Sequence, residues 1–181
     1  MSVPVTPEFA QVVVSILTPH TDIPEKLTRL LIPELGSVQE EIGPLPFDYS
    51  TYYEAEMGTG IRRWVWALSD LVDRSDLARI KLFTNSVEQT YSRDGKRTVN
   101  VDPGLLTLGN FVLATGKDNA HRIYLRDGIF ADLTLIFRGG SYRPLEWTYP
   151  DYADLPMIQL LNRLRETYKW RLRPATARKR P

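Results

Sequence analysis

The chain has 181 residues, 43% hydrophobic and 25% charged, an ordinary composition for a globular domain with room for a sizeable core. It contains no cysteine, which excludes disulfides, Cys-ligated zinc, iron–sulfur clusters and thiol nucleophiles. Its net charge of +1 conceals an asymmetry: Lys169–Pro181 holds six basic and no acidic residues, leaving 17 basic against 22 acidic residues in Met1–Tyr168, a net of −5.

Met1–Pro7 has no basic region, and the apolar run Val12–Val14 is too short for a signal peptide. No stretch approaches the roughly twenty apolar residues of a membrane span. The expectation is a cytoplasmic protein with one α+β domain over residues 1–173 and a flexible basic tail over 174–181. Nucleic acid is an expected partner only through that tail, because the body carries no basic stripe to match it. Oligomeric state and cofactor are open at this level.

Residues 11–17, QVVVSIL, are short, β-branched and apolar, and predict a buried strand. Asp22, Pro24 and Glu25 signal a helix start, with Asp22 as cap and Leu27, Leu30 and Leu31 as the apolar face. Pro33 and Gly36 are expected to end it, and residues 37–42 to form a second strand. Phe47–Gly60 reads as a turn-rich loop with Tyr49, Tyr52 and Tyr53 beside Glu54 and Glu56. Residues 61–68, IRRWVWAL, predict a strand with Trp64 and Trp66 on one face.

The next helix is capped by Asp73 or Ser75, and Leu77, Ile80, Phe83, Val87 and Tyr91 recur along it at helical spacing. Thr98–Val101 is expected to be a short strand that Pro103 and Gly104 turn at once. Leu105–Ala114 fits a helix or a buried strand. His121–Leu125 and Ile129–Phe137 predict a hairpin around Asp127-Gly128. A third strand near Tyr142 stops at Pro144. Asp154 caps a last helix whose face is Met157, Leu160, Leu161, Leu164 and Tyr168. The fold expected is a ferredoxin-like βαββα opening, then an antiparallel meander and a C-terminal helix.

No phosphate loop, dinucleotide fingerprint, nucleophile elbow or zinc-protease motif is present, and two histidines are too few for a multi-histidine metal site. What remains is a polar, aromatic-rich span from Asn100 to Tyr149. Asn100 and Asp102 share one strand face, where Asp102 either meets a ligand or metal or only caps a turn. Lys117, Asp118, His121 and Arg122 crowd before a buried strand, and alternation groups His121 with Ile123 and Leu125 towards the core. Arg122 and Tyr124 take the other face, where they hold a carboxylate or phosphate or form a cross-strand pair. Trp147 and Tyr149 flank Pro150 as a pocket wall or a core cap. Lys81 and Asn85 lie four apart on a helix and can line the same cleft.

The runs PFDYSTYYEAEMG (46–58), IKLFTN (80–85), VNVDPG (99–104), ATGKDNAHRIYL (114–125), DGIFADLTLIF (127–137) and WTYPDY (147–152) have a further meaning. Together they resemble a family of small bacterial proteins known as a domain of unknown function, over roughly residues 10 to 170. The resemblance implies no activity, substrate or catalytic residue. Lys117-Asp118 faintly echoes a guanine-reading element, without the phosphate loop that would accompany it.

Three functions follow as expectations. The first is a binding module for a small anionic ligand, a nucleotide or phosphorylated metabolite. Asn100, Asp102, Lys117, Arg122, Tyr124, Tyr149, Lys81 and Asn85 would form its site. The second is a hydrolase or transferase on such a ligand, with His121 as general base and Asp102 orienting it or binding a divalent metal. The third is a protein or RNA interaction module using an exposed Trp64 and Trp66 face.

Overall fold

The computed structural model describes residues 1–173; the expected basic tail, 174–181, lies outside them. The strands are β1 (Ala10–Thr18), β2 (Val38–Pro46), β3 (Arg62–Val72), β4 (Asn100–Leu106), β5 (Asn110–Thr115), β6 (Arg122–Arg126), β7 (Ile129–Arg138) and β8 (Ser141–Pro144). The helices are α1 (Ile23–Leu35), α2 (Glu54–Met57), α3 (Leu77–Thr90), α4 (Pro150–Ala153) and α5 (Leu155–Arg171). All the strands join one antiparallel sheet in the order β2-β3-β1-β4-β5-β7-β6, with β8 also on β7. The β-α-β-β-α-β opening places β1 between β3 and β4, and the β5 to β8 meander extends the sheet from β4.

Alternation along β1 shows why both faces are covered. Val12, Val14 and Ile16 pack with Leu27, Leu31 and Leu35 of α1 and Leu77, Ile80 and Val87 of α3. Val13 points the other way and joins Leu160, Leu161, Leu164 and Tyr168 of α5. A strand buried on both faces reads as a continuous apolar run, which is what QVVVSIL is. The sheet therefore lies between two helical layers.

Several local expectations change. Trp64 and Trp66 are 7% and 2% exposed, buried under α1 and α3, so they offer no surface to a partner. Leu30 lies on the outer side of α1, and Ile23 and Leu35 complete the inner stripe in its place. Pro33 sits inside α1, which ends at Gly36 with φ 86°. Asp22 makes no cap bond and pairs with Lys26 instead. The 47–60 loop contains α2, and Leu105–Ala114 divides into the ends of β4 and β5.

Pro103 and Gly104 do not turn the chain; β4 runs straight through them to Leu106. The reason is visible in the neighbouring backbone. The Val101 N–H donates to the Glu88 carboxylate at 2.7 Å and its carbonyl accepts from Lys81 at 3.3 Å, so both point away from β1. Pro103, two residues on, directs its nitrogen the same way, and β4 pairs with β5 only from Gly104 onward. The missing N–H thus breaks no ladder bond. Gly104 answers to packing: a Cβ there would meet the Phe111 ring at 2.6 Å.

Candidate functional site

The early parting of β4 and β5 builds the site. Their pairing is Gly104↔Leu113, Leu105↔Val112 and Leu106↔Phe111. Beyond Gly104, β4 stays with β1 through Asn100↔Leu17, while β5 stays with β7 through Thr115↔Phe130. The sheet splits there, and a cavity of about 690 Å³ fills the split, well within the size range of small-molecule sites. Asn100 and Asp102 line one strand edge, and Ala114 to Lys117 the other. Lys81 and Asn85 enter from α3; Tyr149, Asp151 and Tyr152 stand on the α5 side; Phe47, Tyr49, Tyr52 and Tyr53 come from the long loop.

Most of the charge in this cavity is neutralised internally. Arg97 grips both oxygens of Glu56 at 2.8 Å and reaches Glu88 at 3.1 Å and Asn100 Oδ1 at 2.9 Å. Asn100 donates to Asp102 Oδ2 at 2.6 Å. Lys81 closes the ring, 2.8 Å from Asp102 and 3.9 Å from Glu88. Buried charge persists only when paired in this way. Burial works against the Asp102 carboxylate, but Lys81, Asn100 and Arg97 outweigh it and hold its pKa below the ordinary value. For Glu88 burial wins over Lys81, and the pKa is raised. Burial also pushes the Tyr53 and Tyr152 hydroxyls well up, so both stay protonated at neutral pH. The Asp154 hydrogen bond raises Tyr49 to about 12.

A second cluster fixes the opposite wall. Arg122 donates through Nε to Asp132 at 2.9 Å, through Nη1 to the Lys117 carbonyl at 3.0 Å and through Nη2 to the Tyr149 hydroxyl at 3.0 Å. It is a brace that positions Lys117 and Tyr149. The Lys117 ammonium has no carboxylate partner among the described residues. It lies 3.2 Å from the Tyr52 hydroxyl and 4.5 Å from the centre of that ring.

Of the residues singled out from sequence, Asn100, Asp102, Lys117, Arg122, Tyr149, Lys81 and Asn85 meet around this cavity. Two do not. Tyr124 is 59% exposed and packs edge-on against Phe130, outside the cavity. His121 precedes β6, stacks on Trp147 at 5.2 Å and sets Nε2 3.3 Å from Asp132, so it faces neither Asp102 nor the cavity. The alternation expected for β6 does not hold: Arg122 is its one buried residue. Ile123 is 68% exposed and Leu125 points outward, whereas Arg122 is buried. β6 is the last strand of the sheet, and the ion pair with Asp132 lets the polar residue take its inner face.

Sequence reasoning missed Arg97 and the loop tyrosines as site residues. The density of tyrosine in PFDYSTYYEAEM was the available signal for the loop. Glu56, beside those tyrosines, anchors the loop to Arg97.

The chain belongs to the family described as a domain of unknown function (DUF4416), whose model matches residues 8–168. No curated protein and no solved structure matches it. No helix among the described residues is long and apolar enough to cross a membrane.

Proposed function

We propose that this member of a family without an assigned function is a binding module for a small anionic ligand, a nucleotide or phosphorylated metabolite, held in the split between β4 and β5. Lys117 carries the reading. Every other cation lining the cavity is paired with a carboxylate: Lys81 with Asp102, Arg97 with Glu56 and Arg122 with Asp132. Lys117 alone among those lining cations touches only a tyrosine, and Arg122 fixes its backbone at the rim. An ammonium in that setting gains most from an anionic oxygen. The tyrosines around it provide flat apolar walls with polar tips.

A thermal-shift panel of nucleotides, sugar phosphates and inorganic phosphate tests the reading. At least one phosphorylated compound is expected to raise the melting temperature, and to raise it further with the logarithm of its concentration above Kd. Lys117→Met is expected to weaken that compound on the order of tenfold. A panel in which no compound shifts the transition rules the reading out.

A further inference from the structure

We infer that the ligand is a nucleoside monophosphate, with Asn85 reading the edge of its base; this rests on the anionic-ligand reading above. A sugar phosphate is recognised by acceptors and amides that fork pairs of hydroxyl groups. Here the carboxylates of Asp102 and Asp132 are already tied to Lys81 and Arg122, and the Asn100 amide is tied to Arg97 and Asp102. The groups left open are of another kind.

Asn85 lines the cavity from α3, four residues beyond Lys81, and its side-chain amide makes no hydrogen bond with any described residue. An amide offers a donor and an acceptor side by side in one plane, which matches the adjacent donor and acceptor on a base edge. Tyr53 lines the same cavity and its hydroxyl likewise has no hydrogen-bond partner among the described residues. Tyr52 and Tyr53 meet edge to face with ring centres 5.1 Å apart, giving flat walls against which a planar ring can lie. The count of phosphates follows from charge. Lys117 is the one lining cation without a carboxylate, and no phosphate loop occurs in the chain, so the site matches one phosphate and not three.

The test is calorimetric titration of the full chain with AMP, GMP, CMP and UMP, and with ribose 5-phosphate as the base-free control. At least one monophosphate is expected to bind on the order of tenfold more tightly than ribose 5-phosphate. Asn85→Ala is expected to remove that advantage while leaving ribose 5-phosphate unchanged. Asn85→Asp, which keeps the shape and acceptor but loses the donors, is expected to change the ranking of the four bases. A merely structural asparagine would alter the melting temperature without altering that ranking. Ribose 5-phosphate binding as tightly as every monophosphate, or an unchanged ranking in Asn85→Asp, overturns the assignment and leaves the anionic-ligand reading standing. Absence of binding by all five compounds overturns the monophosphate assignment, and the wider thermal-shift panel then decides the parent reading separately.

Discussion

Lys81 shows how a single side chain holds the site together. Its side chain is 8% exposed and stands between Asp102 and Glu88, the latter 6% exposed. Lys81→Met leaves Asp102 without its ion-pair partner and Glu88 with Arg97 alone, and removing one partner of a buried pair costs about 3–5 kcal/mol. The sign of the pH dependence follows from the shifts. Asp102 is lowered when folded, so its contribution is present above the ordinary carboxylate range and lost as pH falls through its folded value. Glu88 is raised, so it opposes folding increasingly as pH rises past the ordinary range. In Lys81→Met the second effect grows and the first disappears. Urea unfolding at pH 7 and at about pH 4.5 is therefore expected to show the larger deficit at neutral pH. An equal deficit at both would mean that the ring of ion pairs does not set the stability here. Sequence pattern could name Lys81, Asn100 and Asp102 because strand and helix periodicity fixes which side chains share a face. It could not name Arg97, whose role depends on Glu56, 41 residues away in the chain.

At the level of elements, β6 carries the clearest lesson. Alternation of apolar and polar residues assigned His121, Ile123 and Leu125 to the core, but Ile123 and Leu125 are exposed and Arg122 is the buried residue of β6. Apolar alternation marks the inner face only when the polar face has nothing better than water. Arg122 has the buried Asp132 carboxylate and the Tyr149 hydroxyl as partners. Two substitutions test the phase. Ile123→Asp is expected to leave stability within about 0.5 kcal/mol, as for exposed sites generally. Arg122→Met is expected to cost about 3–5 kcal/mol, since it strands Asp132. Chemical denaturation of both checks this, and the reverse ranking would restore the original phase. β4 makes the same point from the other side. Pro103 and Gly104 look like a turn because sequence does not show where a ladder ends. Gly104→Ala is expected to cost about 1–3 kcal/mol through the Phe111 ring. The long helices α3 and α5 were legible down to their main apolar stripes, whereas on α1 Leu30 lies outside the stripe assigned to it.

Across the whole molecule, the cavity exists because two sheet segments are held by different neighbours. β4 follows β1 and β5 follows β7, and the space between them is closed by side chains from both helical layers. Element types follow from apolar pattern, so the α+β class, with its antiparallel sheet and C-terminal helix, was readable in advance. The split was not, because it depends on where one ladder of three pairs stops. The measurement that bears most directly on the site is backbone and side-chain amide NMR of the labelled full chain, titrated in turn with AMP, GMP, CMP and UMP. Saturable shifts are expected at the Asn85 side-chain amide, Gly116 and Lys117, with a midpoint that rises on the order of tenfold in Lys117→Met. Shifts confined to the outer face of β6, or absent at Asn85 and Lys117, would contradict a ligand seated between β4 and β5.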